Sequence, residues 1–263
     1  MKEFMGINSE IEDGEIPNPK PKDDWGVKPI KIPVTYNDEN PEEEIQTRAI
    51  CDDTYERKLV DTTLYPYCLV CELQIKFRHL NNLLSATGFF ISKRCVITAA
   101  HTIYKAGNYA KHVTVYPGAN GNKKPFGSAT TSKLRVPSKY KTNPIDIHDY
   151  GVVFLENDDL YNEIGGFFGF KNFDDSETAA IPGYANDKTS IQRESRGSVA
   201  GSQSILKYRI DTVDGISGGP LLQNSNDQFY AVGIHIGGSC PNKAVHIKNK
   251  VYSNLKKWKQ ESI

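Results

Sequence analysis

Residues 214–222 read Asp214-Gly215-Ile216-Ser217-Gly218-Gly219-Pro220-Leu221-Leu222, and the fold turns on the residues after the serine. Flanking glycines let a backbone close on a substrate, and the N–H groups of Gly215 and Ser217 could converge on one oxyanion. Gly-x-Ser-x-Gly is also the nucleophile elbow of a strand-turn-helix unit. An elbow hands the chain to a helix. Here Pro220-Leu221-Leu222 reads as a strand, and Gln223-Asn224-Ser225-Asn226-Asp227 as the turn of a hairpin behind it.

Upstream, short apolar runs alternate with Gly, Pro, Asn and Asp clusters from about residue 60 onward, the pattern of an antiparallel all-β domain. Strands are expected at residues 67–77, 86–91, 95–98, 112–116, 150–154, 179–184, 195–200, 207–211, 220–223 and 229–236. Pro117-Gly118-Ala119-Asn120-Gly121 supplies another turn. The one helical period is C-terminal, where Ile247, Val251, Leu255 and Trp258 fall on one face with lysines opposite. Many strands before one closing helix fit two packed barrels, although periodicity alone does not separate barrels from a sandwich.

A serine hydroxyl needs a base. Cys95-Val96-Ile97-Thr98-Ala99-Ala100-His101 is an apolar strand running into small residues, which leave room for other groups beside the imidazole. His101 is therefore the candidate base. The base in turn needs an orienting carboxylate. Asp149, at the mouth of the apolar run Tyr150-Gly151-Val152-Val153-Phe154, is preferred, and Asp146 is the alternative.

In the order His, Asp, Ser, the motifs Thr98-Ala99-Ala100-His101, Asp149-Tyr150-Gly151-Val152 and Gly215-Ile216-Ser217-Gly218-Gly219-Pro220 closely resemble the trypsin-like serine proteases. Elbow enzymes place their histidine last. A narrower resemblance, to the bacterial glutamyl endopeptidases, runs from about residue 49 to the C-terminus. Asp61-Thr62-Thr63-Leu64-Tyr65-Pro66-Tyr67, Gly183-Tyr184-Ala185-Asn186-Asp187-Lys188, Asp211-Thr212 and Asn254-Leu255-Lys256-Lys257-Trp258 carry it. It implies an all-β, trypsin-like double β-barrel with a C-terminal helix. It also implies hydrolysis of peptide bonds after glutamate and, more weakly, aspartate. His235, in Val232-Gly233-Ile234-His235-Ile236-Gly237-Gly238, would line the pocket for the substrate side chain, assisted by Thr212. A histidine able to donate to a carboxylate suits that role, whereas Lys or Arg would call for an acid. Asp211 and Asp214 keep a basic-residue preference open, and a catalytically silent protein with the same fold is the reading from another class. Where relatives often brace the histidine with a disulfide, this chain has Ala86 and Thr102.

Residues 1–48 carry 12 acidic and 6 basic side chains and six of the 14 prolines, leaving +6 on the remainder of a neutral, 263-residue chain. Such a segment does not form a core of its own and reads as a propeptide or flexible acidic arm, with the protease domain at 49–263. Cutting at Arg48–Ala49 would free an amino group that in the resembling family lies near the specificity pocket. An enzyme acting after glutamate needs a second protease for that cut, or processes itself at Glu44. Residues 1–15 lack the apolar stretch of an export signal, so secretion is inferred from the family alone.

Five cysteines, Cys51, Cys68, Cys71, Cys95 and Cys240, describe no disulfide scaffold, and Cys240 is left to pair with Cys68, with Cys71 or with nothing. Cys68 and Cys71 on a strand point to opposite faces, poor geometry for a metal. Equal numbers of acids and bases, 32 each, give no electrostatic reason for nucleic acid, and no apolar run is long enough for a membrane. Protein or peptide substrates and an activating protease are the expected partners. A monomer without metal or organic cofactor is expected.

Overall fold

The computed structural model describes residues 11–17, 57–173, 178–186, 190–201, 204–238 and 240–262. In chain order come β1 (Ile11–Glu12), β2 (Lys58–Leu59), β3 (Val70–Lys76), β4 (Leu84–Ser92), β5 (Cys95–Thr98), α1 (Ala100–Ile103), β6 (Tyr104–Lys105) and β7 (Asn108–Tyr109). Next are β8 (His112–Pro117), β9 (Ala129–Thr131), β10 (Leu134–Arg135), α2 (Ser138–Thr142), β11 (Gly151–Phe154), α3 (Asp159–Ile164) and β12 (Gly169–Lys171). The second half holds β13 (Thr178–Tyr184), β14 (Gln192–Ala200), β15 (Ile205–Tyr208), β16 (Pro220–Ser225), β17 (Gln228–Gly238), β18 (Asn242–His246) and α4 (Asn249–Glu261).

Seven strands make the first barrel in the order β10-β11-β5-β4-β3-β8-β9, every pair antiparallel. The second runs β17-β16-β13-β14-β15-β18, and β18 returns to β17 to close it. Leu73, Phe89, Ile97, Val113 and Val152 fill the first barrel without solvent exposure, and Leu206, Ile210, Leu221 and Val232 do the same in the second. The all-β double barrel expected from the sequence is therefore present. α4 buries Val251, Tyr252, Leu255 and Trp258; Trp258 packs on Tyr150 at 5.7 Å between ring centroids, and Asn254 donates to the Tyr150 hydroxyl at 2.7 Å.

All ten sequence-assigned strands are found, 95–98 with the expected ends and the other nine with at least one end shifted. Residues 67–69 form a 3-10 turn ahead of β3 rather than its first residues. β15 starts at Ile205 and stops at Tyr208. Cys240 is disulfide-bonded. Cys68 and Cys71 are buried free thiols, as is Cys95, so neither of the first two is its partner, and Cys51 lies outside the described residues. The Arg48–Ala49 junction and Glu44 also lie outside them. Of the acidic arm, residues 11–17 are described, with β1 added to the edge of the second barrel at β12.

Candidate active site

β5 and β11 pair with Thr98 opposite Gly151. His101, three residues beyond Thr98 in α1, and Asp149, two residues before Gly151, therefore leave the same end of the first barrel. Asp149 Oδ1 accepts the backbone N–H of His101 at 2.9 Å, and Oδ2 lies 2.7 Å from His101 Nδ1. Two bonds from one carboxylate to one residue fix both the main chain and the ring. With Nδ1–H donating, Nε2 is left as the basic nitrogen. The Asp149 side chain is 12% exposed, which keeps this pairing out of bulk water, while His101 at 34% stays accessible. Asp146, the alternative carboxylate, is exposed and paired with Lys243 at 2.9 Å instead.

Hydroxyls brace the histidine where no disulfide does. Thr102 Oγ1 donates to Ala99 O at 2.8 Å and lies 3.2 Å from Thr98 Oγ1.

Ser217 sits half-buried in the turn ahead of β16. The turn is held from the first barrel by Thr87 of β4, a fully buried residue. Its N–H donates to Ser217 O at 2.9 Å, its hydroxyl donates to Gly215 O at 2.9 Å, and the same oxygen accepts the Tyr184 N–H at 3.0 Å. Gly218 has φ +86°, and a Cβ there would stand 2.1 Å from Thr98 Oγ1 and 2.8 Å from Ala99 N. Only glycine lets the serine turn lie this tightly against the residues that lead into His101.

The peptide planes around the serine are also fixed. Asp214 O accepts Asn186 N–H at 2.7 Å, and Ile216 O accepts Gly219 N–H at 2.8 Å. In trans peptides this turns the N–H groups of Gly215 and Ser217 the opposite way, away from the partners of those carbonyls.

His235 belongs to the same constellation. Gly218 N–H donates to His235 O at 2.7 Å and His235 N–H to Gly219 O at 2.9 Å, so the serine turn and β17 are zipped together. A register shift between His235 and Gly237 marks a bulge there. The imidazole is 2% exposed, and its Nδ1 lies 2.5 Å from the Tyr208 hydroxyl, which also donates to Lys243 O at 3.0 Å. Burial pushes its pKa down to about 3, with the nearby His101 adding to the effect, so the ring is neutral across the physiological range. Thr212 is likewise buried, at 3% exposure, whereas Asp214 is exposed and Asp211 half-buried.

Thr87 and Tyr208 were not singled out by sequence. Among the described residues, no group of three or more His, Cys, Asp or Glu is placed to hold a metal ion. Burial pushes the Cys68 thiol up to about 12 and raises Cys71 well above the ordinary thiol value, which holds both as packed, protonated thiols. No described helix is long and apolar enough to cross a membrane.

No family model matches the chain. It is 31% identical over 221 residues to the glutamyl endopeptidase of Bacillus licheniformis, spanning 78% of this chain and 67% of that protein. It is also 26% identical over 223 residues to a Bacillus subtilis protein named extracellular metalloprotease, spanning 81% and 71%. Among solved structures, a Glu endopeptidase in complex with MPD superposes with TM-score 0.69 at 27% identity, over 81% of this chain and 99% of that one. The protease Anisep from Arthrobacter nicotinovorans, at TM-score 0.64 and 15% identity over 78% and 99%, shares the fold.

Proposed function

The chain belongs to the glutamyl endopeptidases, within the trypsin-like serine proteases, and from that premise we propose that it cuts polypeptides after glutamate, less readily after aspartate, with Ser217 as nucleophile, His101 as base and Asp149 as orienting carboxylate. The observation that carries this reading is the doubly bonded His101–Asp149 pair with the Ser217 turn packed through Gly218 onto the residues preceding His101.

In this reading Ser217 Oγ attacks the scissile carbonyl carbon as its proton passes to His101 Nε2. The carbonyl oxygen becomes an oxyanion and takes hydrogen bonds from the amides of Gly215 and Ser217, whose planes Asn186 and Gly219 hold, with Thr87 fixing the Gly215–Ile216 peptide between them. Collapse of the intermediate breaks the C–N bond, and the departing amine takes the proton from Nε2. A water repeats the cycle on the ester, and Asp149 stabilises the imidazolium each time it forms.

The glutamate preference is supported by what is buried. His235 and Thr212 lie inside while Asp214 does not. In the tautomer whose Nδ1 carries no proton and faces the Tyr208 hydroxyl, the neutral His235 presents Nε2–H as a donor to a substrate carboxylate, which in turn favours the charged imidazole. The acidic arm, 1–48, is read as a prosegment removed at Arg48–Ala49, and the disulfide at Cys240 suits an oxidising, extracellular setting.

A panel of peptides differing only at the residue before the cut, run on wild type and His235→Ala, tests the proposal. Glutamate should give the highest kcat/KM, and His235→Ala should lower it by about 30-fold or more, as loss of one partner in a buried charged pair does. Faster cleavage after arginine than after glutamate, or no response to His235→Ala, would overturn it.

A further inference from the structure

The acidic arm has a built seat on the protease domain. β1 pairs antiparallel with β12, with Ile11 opposite Lys171 and Glu12 opposite Phe170. The pairing continues through Glu15, whose N–H donates to Phe167 O at 2.8 Å and whose carbonyl accepts Phe167 N–H at 2.9 Å. Between these anchors the two backbones come closer than side chains allow. A Cβ on Gly14 would stand 2.1 Å from Gly169 N, and one on Gly169 would stand 2.6 Å from Glu12 O.

Each acid of the segment has a partner, and the partners come from three elements. Glu12 meets Lys256 at 2.5 Å and Lys259 at 3.6 Å on α4. Asp13 accepts the Tyr230 hydroxyl of β17 at 3.1 Å, while its carbonyl accepts Lys259 Nζ at 2.9 Å. Glu15 accepts the Tyr161 hydroxyl of α3 at 2.7 Å. Pro17 is buried. Exposed ion pairs contribute little singly, so the backbone ladder and the glycine fit carry the attachment, and the charges select an acidic strand.

This seat lies away from the reacting groups. β12 pairs with Tyr230 and Ala231, and His235 is four residues further along β17, about 13 Å at the usual rise of a strand. The strip it covers crosses between the barrels, since Phe168 N–H donates to Phe90 O of β4 at 2.9 Å.

We infer that the edge of β12, with the flanking lysines and tyrosines of α4, α3 and β17, is a docking surface for an acidic extended strand, filled by residues 11–17. The strand stays seated after the connection to the protease domain is cut. The inference rests on reading residues 1–48 as a prosegment. It predicts that maturation leaves a two-chain complex, and that the bonds after Glu12 and Glu15, being in the ladder, escape cleavage.

Full-length Ser217→Ala protein, which does not cut itself, makes the test independent of specificity. Hydrogen exchange should show amides in 12–15 and 167–171 protected by about 100-fold or more over free peptide. Gly14→Val, which collides with Gly169 but lies in the arm, should abolish that protection and leave β3 and β4 unchanged. Trypsin then cuts after Lys2 and Lys22 and spares the lysine-free and arginine-free segment 11–17. Residues 3–22 should co-elute with the domain on gel filtration, and separate from it in Gly14→Val. Free-peptide exchange at 12–15, or a fragment that leaves the unsubstituted domain, would overturn the inference. A mature N-terminus that still includes residue 1 would instead sink the prosegment reading.

Discussion

Replacing Thr87 by valine keeps the shape of β4 and removes one hydroxyl. That hydroxyl donates to Gly215 O and accepts from Tyr184 N–H, both buried, across the boundary between the barrels. Each of the two groups left unpaired costs about 1–3 kcal/mol, so Thr87→Val should destabilise the protein by roughly 2–6 kcal/mol. The Gly215–Ile216 peptide, which lies between the two peptides carrying the Gly215 and Ser217 N–H groups, then loses the bond that fixes its tilt, and the donors on either side are loosened. Complete loss of one oxyanion donor costs about 100- to 1,000-fold in kcat, so a loosened one should cost about 10- to 100-fold with KM little changed. Thr87→Ser keeps the hydroxyl and gives up one methyl, worth about 1 kcal/mol, and should restore kcat. Steady-state kinetics on a glutamyl peptide, with urea unfolding tracked by fluorescence, measures both. A Thr87→Val enzyme within twofold in kcat and within 0.5 kcal/mol in stability, inside the ordinary scatter of surface changes, would refute the assigned role. So would a Thr87→Ser enzyme as impaired as the valine.

His235 folds neutral with its pKa held down to about 3, against about 6.5 when unfolded, so the unfolded chain takes up a proton that the folded one refuses. Stability is therefore full above pH 6.5 and falls toward pH 3, by roughly 1.4 kcal/mol per pH unit. In the Ser217→Ala background, His235→Gln should remove about 2 kcal/mol of the loss between pH 7 and 5, read from urea midpoints; parallel pH profiles would contradict this. Lys124 reaches the buried Glu72 carboxylate at 2.8 Å, beside Ser190 at 2.7 Å. Lys124→Met should cost about 3 kcal/mol, and adding Glu72→Gln should recover much of it, because the penalty is an unpaired buried charge. Mass spectrometry of matured protein should find Ala49 at the new N-terminus, and active protein retaining Met1 would exclude the prosegment scheme.

The double barrel was legible because its strands are short apolar runs set between turn residues, and the serine turn because a strand begins behind it at Pro220. The pairing of His101 with Asp149 was legible for a related reason: each sits where an apolar strand meets a loop. Thr87 was not, since Ser85-Ala86-Thr87-Gly88 reads like any strand. Its importance arises from partners 128 and 130 positions away, at Gly215 and Ser217. Tyr208 is hidden likewise, being one aromatic in β15 until the bulge of β17 sets His235 against it. β12 escaped because Gly169-Phe170-Lys171 has no period, and the docked Ile11–Pro17 because its order is borrowed from β12. The last helix was placed by its buried face, yet it begins at Asn249, so Ile247 packs from outside it. Cys240 shows what spacing cannot give: pairing depends on the fold bringing sulfurs within reach, and Cys68 and Cys71 are sealed in the core instead.

The most direct measurement is intact and peptide mass spectrometry after exposure to a fluorophosphonate. The account predicts a single phosphonyl adduct on Ser217 in folded, processed protein, with labelling at least 100-fold slower in His101→Ala. Labelling at another residue, or labelling of Ser217 that is indifferent to His101, would contradict it.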